Sequence, residues 1–431
     1  MTKKTDLILR QVLEKIEPPK EELTLIQNSV KDFIKTFEKK LKSARIKAEI
    51  FIGGSFAKNT VIKKDSYDVD IFIRFDKKYK EEDISKLTKK LLGNSKNIMK
   101  IHGSRDYFKI KIGPSFFLEI VPVIKVKNSK NYENITDLSY SHVRYIRKKV
   151  KSQKILDDIR IAKAFCYANN CYGAESYIEG FSGYSLELLV YYYQGFTKFL
   201  RAMEKTDKNK VVIDIEKYYK NKSQVLMDLN SAKLDSPVIL IDPTYKQRNA
   251  LAALSNETFK KFQKSCKTFL KAPSLSAFEI QKTDLEKIKR NAKKKKQEFL
   301  LLEAKTNKQV GDIAGSKLLK FNRHLTYEIK PFFQIKNKGF NYNGAKAARY
   351  FFVVKPKKEV LLRGPSLNEP KHVKRFKKKH KNTFERFNRI YAKDKIDYTL
   401  KQFILSWEKK NRQKLKEMSI NFLKEKTLKL H

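Results

Sequence analysis

Phe51-Ile-Gly-Gly-Ser-Phe-Ala-Lys-Asn-Thr60, followed by Asp65-Ser-Tyr-Asp-Val-Asp-Ile-Phe-Ile73, reads as strand, glycine turn, short helix and strand. The second strand carries two carboxylates, Asp68 and Asp70, one residue apart. Alternation along a strand puts both on one face, roughly 6.6–6.8 Å apart, and turns Val69, Ile71 and Ile73 toward a core. Aspartate is disfavoured inside strands, so two of them need a reason. A divalent metal ion supplies one, because it removes the like-charge repulsion that would raise a carboxylate pKa. The Gly53-Gly54-Ser55 turn presents backbone N–H groups at a helix start, where a phosphate is well received.

Working outward, the apolar spacing over residues 6–45 predicts two helices broken at Pro18-Pro19. A strand over Lys47–Ile52, a helix over Glu82–Leu92 and strands over Tyr107–Ile112 and Phe116–Val123 complete an α/β pattern. Glu119 stands among Leu118, Ile120 and Val121. Alone it reads as well as the solvent face of a strand. Beside Asp68 and Asp70 it completes three carboxylates from two strands, an all-oxygen set suited to two Mg²⁺ ions.

Beyond residue 150 the pattern is helical. Ile155–Asn169 has Ile155, Ile159, Ala162 and Cys166 on one face with Lys163 at its margin, and Tyr184–Leu200 reads as one helix. Residues 204–236 are polar and rich in Lys and Asp, and read as an insertion or exposed region. Val238–Ile241 reads as a strand and Asn249–Leu270 as a helix. From about residue 276 the chain is strongly basic. Asp284–Glu303, with Lys293-Lys-Lys-Lys296, reads as a helix, and Tyr327–Ile335 and Ala348–Val354 as strands. Here Arg323, His324, Tyr327, Phe332, Phe333, Arg349, Tyr350, Phe351 and Phe352 interleave charge with aromatics, a composition suited to RNA. Helices over Lys371–Lys379 and Tyr398–Lys426 follow. Gly339-Phe-Asn-Tyr-Asn-Gly344 has P-loop spacing, but Ala345 stands where that loop needs lysine.

At 431 residues the chain holds about two to four domains, and 41% apolar residues exclude a disordered protein. With 96 Lys and Arg against 47 Asp and Glu, the net charge is +49. Folding gains nothing from that self-repulsion, so a polyanionic partner is expected. Nucleic acid is favoured over a membrane surface, since no basic amphipathic anchor stands out. Cys166, Cys171 and Cys266 lack metal-ligand spacing. No apolar run approaches the ~20 residues that span a bilayer. A cytoplasmic protein with no membrane partner is expected.

Gly54-Ser55, Asp68-x-Asp70 and a third acid on a following strand resemble the signature of the DNA polymerase β-like nucleotidyltransferase superfamily. Asn134-Ile-Thr-Asp-Leu-Ser-Tyr-Ser-His142-Val-Arg-Tyr145, Asp157-Asp-Ile-Arg-Ile-Ala-Lys163-Ala-Phe, Tyr172-Gly-Ala-Glu175, Gly180-Phe-Ser-Gly-Tyr-Ser-Leu-Glu-Leu-Leu189, Ile241-Asp-Pro243, Arg248-Asn249 and Leu361-Leu-Arg-Gly-Pro365 resemble the archaeal class I CCA-adding enzymes, in order along nearly the whole chain.

The resemblance implies a multi-domain α/β plus α fold. A polymerase β-like head spans 1–150, a helical nucleotide-binding neck 151–275, and a basic α+β body and helical tail that bind tRNA 276–431. It implies template-independent addition of C, C and A to the tRNA 3′ end from CTP and ATP, with release of pyrophosphate. Asp68, Asp70 and Glu119 would be the catalytic metal ligands. Asp70 would bridge two Mg²⁺ ions, and Glu119 would serve the one beside the attacking hydroxyl. Gly54, Ser55, Lys58, His142, Lys163, Tyr172 and Arg248 match nucleotide-binding positions. Two departures stand out. Glu119 replaces the usual Asp and is one methylene longer. Lys58 replaces an Arg, exchanging a guanidinium fork for a point charge. A homodimer is one option for its assembly. Two other readings stay open: another terminal RNA nucleotidyltransferase, such as a poly(A) polymerase or an oligoadenylate synthase, and a non-catalytic RNA-binding scaffold.

Overall fold

The structure, a computed structural model, describes residues 3–103, 105–113, 116–126, 134–206, 210–280 and 283–428. The chain divides into two compact units, residues 1–281 and 282–431.

In the first unit, α1 (Lys3–Ile16) and α2 (Lys20–Ser43) are separated at Pro18-Pro19, as the sequence predicts. Then come β1 (Ala48–Ile52), the single turn α3 (Gly54–Ala57), β2 (Tyr67–Phe75), α4 (Glu81–Leu92), β3 (Ile98–Ile101), β4 (Tyr107–Lys111) and β5 (Phe116–Ile124). The five strands form one sheet in the order β1-β2-β5-β4-β3. The β2–β5 pair is parallel and the other pairs are antiparallel. Val69, Ile71, Ile73, Leu118 and Ile120 are fully buried on one face. They share a core with Ile26, Val30, Phe37 and Leu41 of α2 and Ile84 of α4. That packing commits the alternate residues, Asp68, Asp70 and Glu119, to the opposite face.

The remainder of this unit comprises α5 (Ser139–Lys149), α6 (Gln153–Ala168), α7 (Gly183–Tyr192), α8 (Phe196–Glu204), β6 (Val211–Ile213), α9 (Lys222–Asp228), β7 (Val238–Asp242), β8 (Tyr245–Asn249) and α10 (Asn256–Lys271). Its core is aromatic, with Phe165, Phe181, Phe199, Phe262 and Phe269 in mutual ring contact. Ile8, Leu9 and Val12 of α1 pack into this core, so the first helix buries its stripe against α6 and not against the head sheet.

Three expectations change here. The helix predicted over Tyr184–Leu200 is two, because Gln194 and Gly195 both take positive φ, 56° and 124°. At Gly195 a β-carbon would stand 2.9 Å from the Asp158 carboxylate. The polar stretch 204–236, of which 207–209 lie outside the described residues, folds into β6 and α9 around Ile213, Val225 and Leu229. Asn249 begins no helix. Its side-chain oxygen accepts the Leu240 and Leu251 N–H groups, and α10 starts only after the Ser255 cap.

In the second unit, α11 (Leu285–Lys294) leads to β9 (Glu298–Thr306), α12 (Asp312–Ile329), β10 (Phe333–Tyr342), β11 (Ala347–Pro356), β12 (Glu359–Ser366), α13 (Pro370–Lys379), β13 (Thr383–Arg386), β14 (Arg389–Lys395), α14 (Leu400–Lys410), α15 (Arg412–Glu417) and β15 (Ile420–Glu425). One sheet runs β10-β11-β9-β15 and a second β12-β14-β13. The helix predicted over Asp284–Glu303 ends at Lys294, and Lys296 turns the chain with a φ of 51°. Tyr327 lies on a helix, because Leu318, Phe321, Leu325 and Ile329 recur at helical spacing and are fully buried. The segment over Tyr398–Lys426 is two helices and a strand. Half of the aromatics interleaved with charge are core: Phe333, Tyr350 and Phe352 are buried, and in the strands the alternation is that of a sheet with one wet face. Gly339–Gly344 is the end of β10 and its turn, not a phosphate loop.

Candidate active site

Asp70 and Glu119 are direct register partners across the parallel β2–β5 pair, and Lys109 of β4 is the register partner of Glu119. Asp70, Glu119 and Lys109 thus form one row across three strands, with Asp68 beside it. Lys109 Nζ donates to Asp68 Oδ1 at 2.6 Å and to Glu119 Oε1 at 3.1 Å. The Gly53 N–H bonds the Asp70 carbonyl at 2.8 Å, which draws the glycine turn over the row. Gly54 then sits so close that a β-carbon there would stand 1.7 Å from Asp70 Oδ2. Its φ of 60° is one that L-residues avoid. Backbone conformation and close approach therefore both demand glycine here.

Crowding of the acids has a clear electrostatic consequence. Burial, then the neighbouring charges of Asp70 and Asp68, push the Glu119 carboxyl up to about 7. Burial and the Asp68 charge push Asp70 up to about 6, while Lys58 pulls the other way. These groups want a cation, and Lys109 meets part of that need. Carboxylate oxygens alone make a donor set of the kind Mg²⁺ takes. Among the described residues no three acidic, His or Cys side chains stand together as a group that could hold a metal ion. By donor chemistry the three acids suit a divalent ion, at the place where Lys109 Nζ bonds Asp68 and Glu119.

Next along the chain, Lys58 and Lys163 meet on a residue to which the sequence assigns no role. Glu187 of α7 is fully buried. Its Oε2 accepts Lys58 Nζ at 2.6 Å, and its Oε1 accepts Lys163 Nζ at 3.1 Å and Thr60 Oγ1 at 3.0 Å. Lys163 also donates to the Thr60 hydroxyl at 2.6 Å and to the Thr60 carbonyl at 3.1 Å. Burial lowers the Lys163 ammonium to about 8, although Glu187 opposes the shift. Burial also tends to raise Glu187, but Lys58 and Lys163 outweigh it and hold the carboxyl below its ordinary value. Tyr172 stacks on Tyr167 at 4.2 Å. Its hydroxyl lies 2.9 Å from the point where a β-carbon on Gly183 would stand, and Lys163 Cε lies 4.0 Å from the same point.

A second buried acid gathers the other predicted residues. Asp242, at the end of β7, is fully buried. Its Oδ2 accepts from His142 Nε2 at 3.0 Å and from Arg248 at 2.6 Å. Its Oδ1 accepts from the Tyr184 hydroxyl at 3.0 Å and from the N–H and hydroxyl of Thr244 at 2.8 Å each. Tyr184 stacks on the His142 ring at 4.0 Å. Burial lowers the His142 pKa and Asp242 offsets only part of that. The imidazole therefore stays neutral near pH 7. Burial alone would raise the Asp242 carboxyl, but the hydrogen bond from His142, the Arg248 guanidinium and the Thr244 N–H hold it well below the usual range.

The predicted nucleotide-binding side chains thus fall into two clusters. One, around Glu187, adjoins the Gly54-Ser55 turn. The other, around Asp242, is supplied by α5, α7 and β7–β8. The charge of Lys58 acts on both Asp70 and His142, so the acid row and the Asp242 cluster lie within its field. Thr60, Tyr184, Glu187 and Asp242 lie within the quoted motifs but take no role of their own there, and Lys109 belongs to none of them. The available signal was an acid inside an apolar helix, Leu186-Glu-Leu-Leu189, and another after the strand Val238-Ile-Leu-Ile241. Buried acids of this kind need partners.

A family model described as the nucleotidyltransferase domain matches residues 30–160, and one described as tRNA nucleotidyltransferase, second domain, matches residues 157–279. The chain is similar to the CCA-adding enzyme of Nanoarchaeum equitans, with 40% identity over 239 residues, covering 55% of this chain and 59% of that one. It is similar to the CCA-adding enzyme of Methanocaldococcus jannaschii, with 28% identity over 406 residues, covering 91% and 88%. Among solved structures, one of Cid1, described by its RNA terminal uridylyl transferase activity, aligns with a TM-score of 0.50 and 14% identity, over 65% of this chain and 99% of that one. At that identity the likeness concerns the fold alone.

Proposed function

Because the chain belongs with the archaeal CCA-adding enzymes, whose two nucleotidyltransferase domains it carries in order, we propose that it adds C, C and A to the 3′ end of tRNA from CTP and ATP, releasing pyrophosphate. The observation that carries this reading is the row of Asp70 and Glu119 beneath the Gly54 turn. Asp68, Asp70 and Glu119 hold the metal, and the Gly54-Ser55 turn, Lys58 and Lys163 hold the triphosphate. His142 and Arg248 meet the nucleoside, and Tyr172 lines the Lys163 side of the pocket. Two Mg²⁺ ions at these acids would lower the pKa of the attacking 3′-hydroxyl and neutralise the leaving pyrophosphate. The head over 1–150 is the catalytic part and 151–275 the nucleotide-binding part, while 276–431 grips the tRNA.

The last assignment draws on exposed charge. Lys371, Lys374, Arg375, Lys377, Lys378 and Lys379 of α13 all face solvent. In the same unit Phe387 is 79% exposed at a hairpin tip, with the Arg386 guanidinium 4.7 Å from its ring centre. Cations paired with an open aromatic suit phosphates and unstacked bases.

The test is extension of a tRNA that ends at the discriminator nucleotide, with each nucleotide offered alone and together. Two additions from CTP, and one from ATP only after them, are expected. Unlimited adenosine addition would favour a poly(A) polymerase-like enzyme. Magnesium-independent RNA binding without transfer would favour a scaffold.

A further inference from the structure

We propose that Glu187 is a positioning residue for the incoming triphosphate: from α7 it holds the ammonium groups of Lys58 and Lys163 side by side at the loop that follows the Gly54-Ser55 turn. This rests on the proposed nucleotidyl transfer, which gives those two lysines their ligand. The carboxylate is fully buried and accepts a lysine on each oxygen, at 2.6 and 3.1 Å. The lysines are themselves buried, 9% and 2% exposed. Two ammonium ions brought this close out of water repel strongly unless an anion lies between them. One carboxylate between two lysines leaves a net single positive charge. The trio is therefore still a site for an anion, whereas an equal pair would be neutral and inert.

The rest of the cluster fixes its geometry. Thr60 Oγ1 bridges Lys163 and Glu187, at 2.6 and 3.0 Å. Arg160 donates to the Asn59 carbonyl at 3.0 Å, and the Lys64 ammonium reaches the Tyr167 hydroxyl at 2.5 Å. Residues 58–64 are thus held along α6 and α7 at four points, and Glu187 is the one that carries charge opposite to the lysines it holds. A buried ion pair is weak evidence for stability. Its arrangement around one acid, next to a phosphate-accepting turn, is evidence for placement.

The test is the Glu187→Gln enzyme, which keeps the shape and removes the charge. Steady-state extension of a tRNA acceptor with CTP, inhibition by inorganic tripolyphosphate, tRNA affinity and the melting temperature are measured together. The expected result is a KM for CTP and an inhibition constant for tripolyphosphate both raised about tenfold or more, the order set by one charge-assisted phosphate contact. The kcat should move much less and tRNA affinity should not change. Glu187→Asp, too short to reach both lysines, should recover part of the loss. Glu187→Gln should add less in a Lys163→Met background than in the wild type. Should Glu187→Gln fail to fold, Thr60→Val, which removes only the bridging hydroxyl, must raise the same two constants. A lowered melting temperature with unchanged constants for CTP and tripolyphosphate would reduce Glu187 to a structural ion pair and overturn the proposal. If Lys58→Met and Lys163→Met themselves leave both constants unchanged, the assignment of the triphosphate to these lysines falls, and the role of Glu187 with it.

Discussion

Gly54→Ala should silence the enzyme while sparing its fold. A β-carbon at Gly54 would lie 1.7 Å from Asp70 Oδ2, 2.7 Å from its Cγ and 3.2 Å from its Cβ. An ordinary nonbonded contact is roughly 3.5 Å, so the carboxylate must retreat by more than an ångström or the turn must lift. Moving the turn is costly, since Gly53 N–H is bonded to the Asp70 carbonyl at 2.8 Å. The side chain should therefore swing away. The local cost is about 1–2 kcal/mol for a non-glycine residue at this φ, which in a unit this large lowers Tm by only about 2–8 °C. The functional cost is larger, because a misplacement of about 1 Å at a reacting centre can remove about 10²-fold in rate. Gly53→Ala is the control. Its φ is ordinary, and the added carbon would meet the Phe72 ring at 2.3 Å, not a carboxylate. It should disturb packing and stability more than turnover. Single-turnover CMP addition with saturating tRNA and CTP, beside thermal melts of both variants and of Asp70→Ala, separates these effects. A Gly54→Ala enzyme within about threefold of the wild-type rate would refute the placement of Asp70 in the chemistry.

Three further outcomes are expected. Asp242→Asn removes the anion that Arg248, His142, Tyr184 and Thr244 share. It should cost about 1–3 kcal/mol of stability and narrow the preference for CTP and ATP over UTP and GTP, seen as a fall in the kcat/KM ratio. Lys109→Met frees the Asp68 and Glu119 oxygens that Lys109 holds. Calorimetric Mn²⁺ titration should show tighter binding, and weaker binding would mean that Lys109 organises the acids instead of competing for them. Lys163 is lowered to about 8, by burial together with the charges of Lys58 and Lys64, against the opposing pull of Glu187. Its charged form dominates below that pH and is lost above it, so the KM for CTP should be flat toward neutrality and rise beyond pH 8. Lys163→Arg should flatten the rise, and a wild-type KM constant to about pH 9.5, well beyond the titration of such a group, would contradict the shift.

What the chain discloses by itself follows the range of the forces involved. The alternation in the strand Tyr67-Asp-Val-Asp-Ile71 is a period-two signal, and the burial of Val69 and Ile71 behind Asp68 and Asp70 obeys it. Leu300, Leu301 and Leu302 are buried on both faces of β9. Such a run has no period, and by sequence it reads as the end of a helix. The strand identity of Phe116–Val123 is local, but the pairing of Glu119 with Asp70 depends on a parallel crossover that no window of sequence contains.

The residues missed most completely are the buried acids that hold cations from distant parts of the chain. Glu187 joins Lys58 across 129 positions, and Asp242 joins His142 across 100. In a chain of net charge +49, cations on the surface repel one another and find their own way to a polyanion. Cations that stand at defined buried points cannot rely on that. They need fixed counter-charges, and buried carboxylates are the groups that supply them. Asp137 does the same for Arg105, accepting its guanidinium while also capping the turn before α5 with the Asn134 N–H. Scarcity makes these acids informative. Each of these buried acids marks a place where a cation is held still, and two of the three, Glu187 and Asp242, hold residues that the sequence motifs single out.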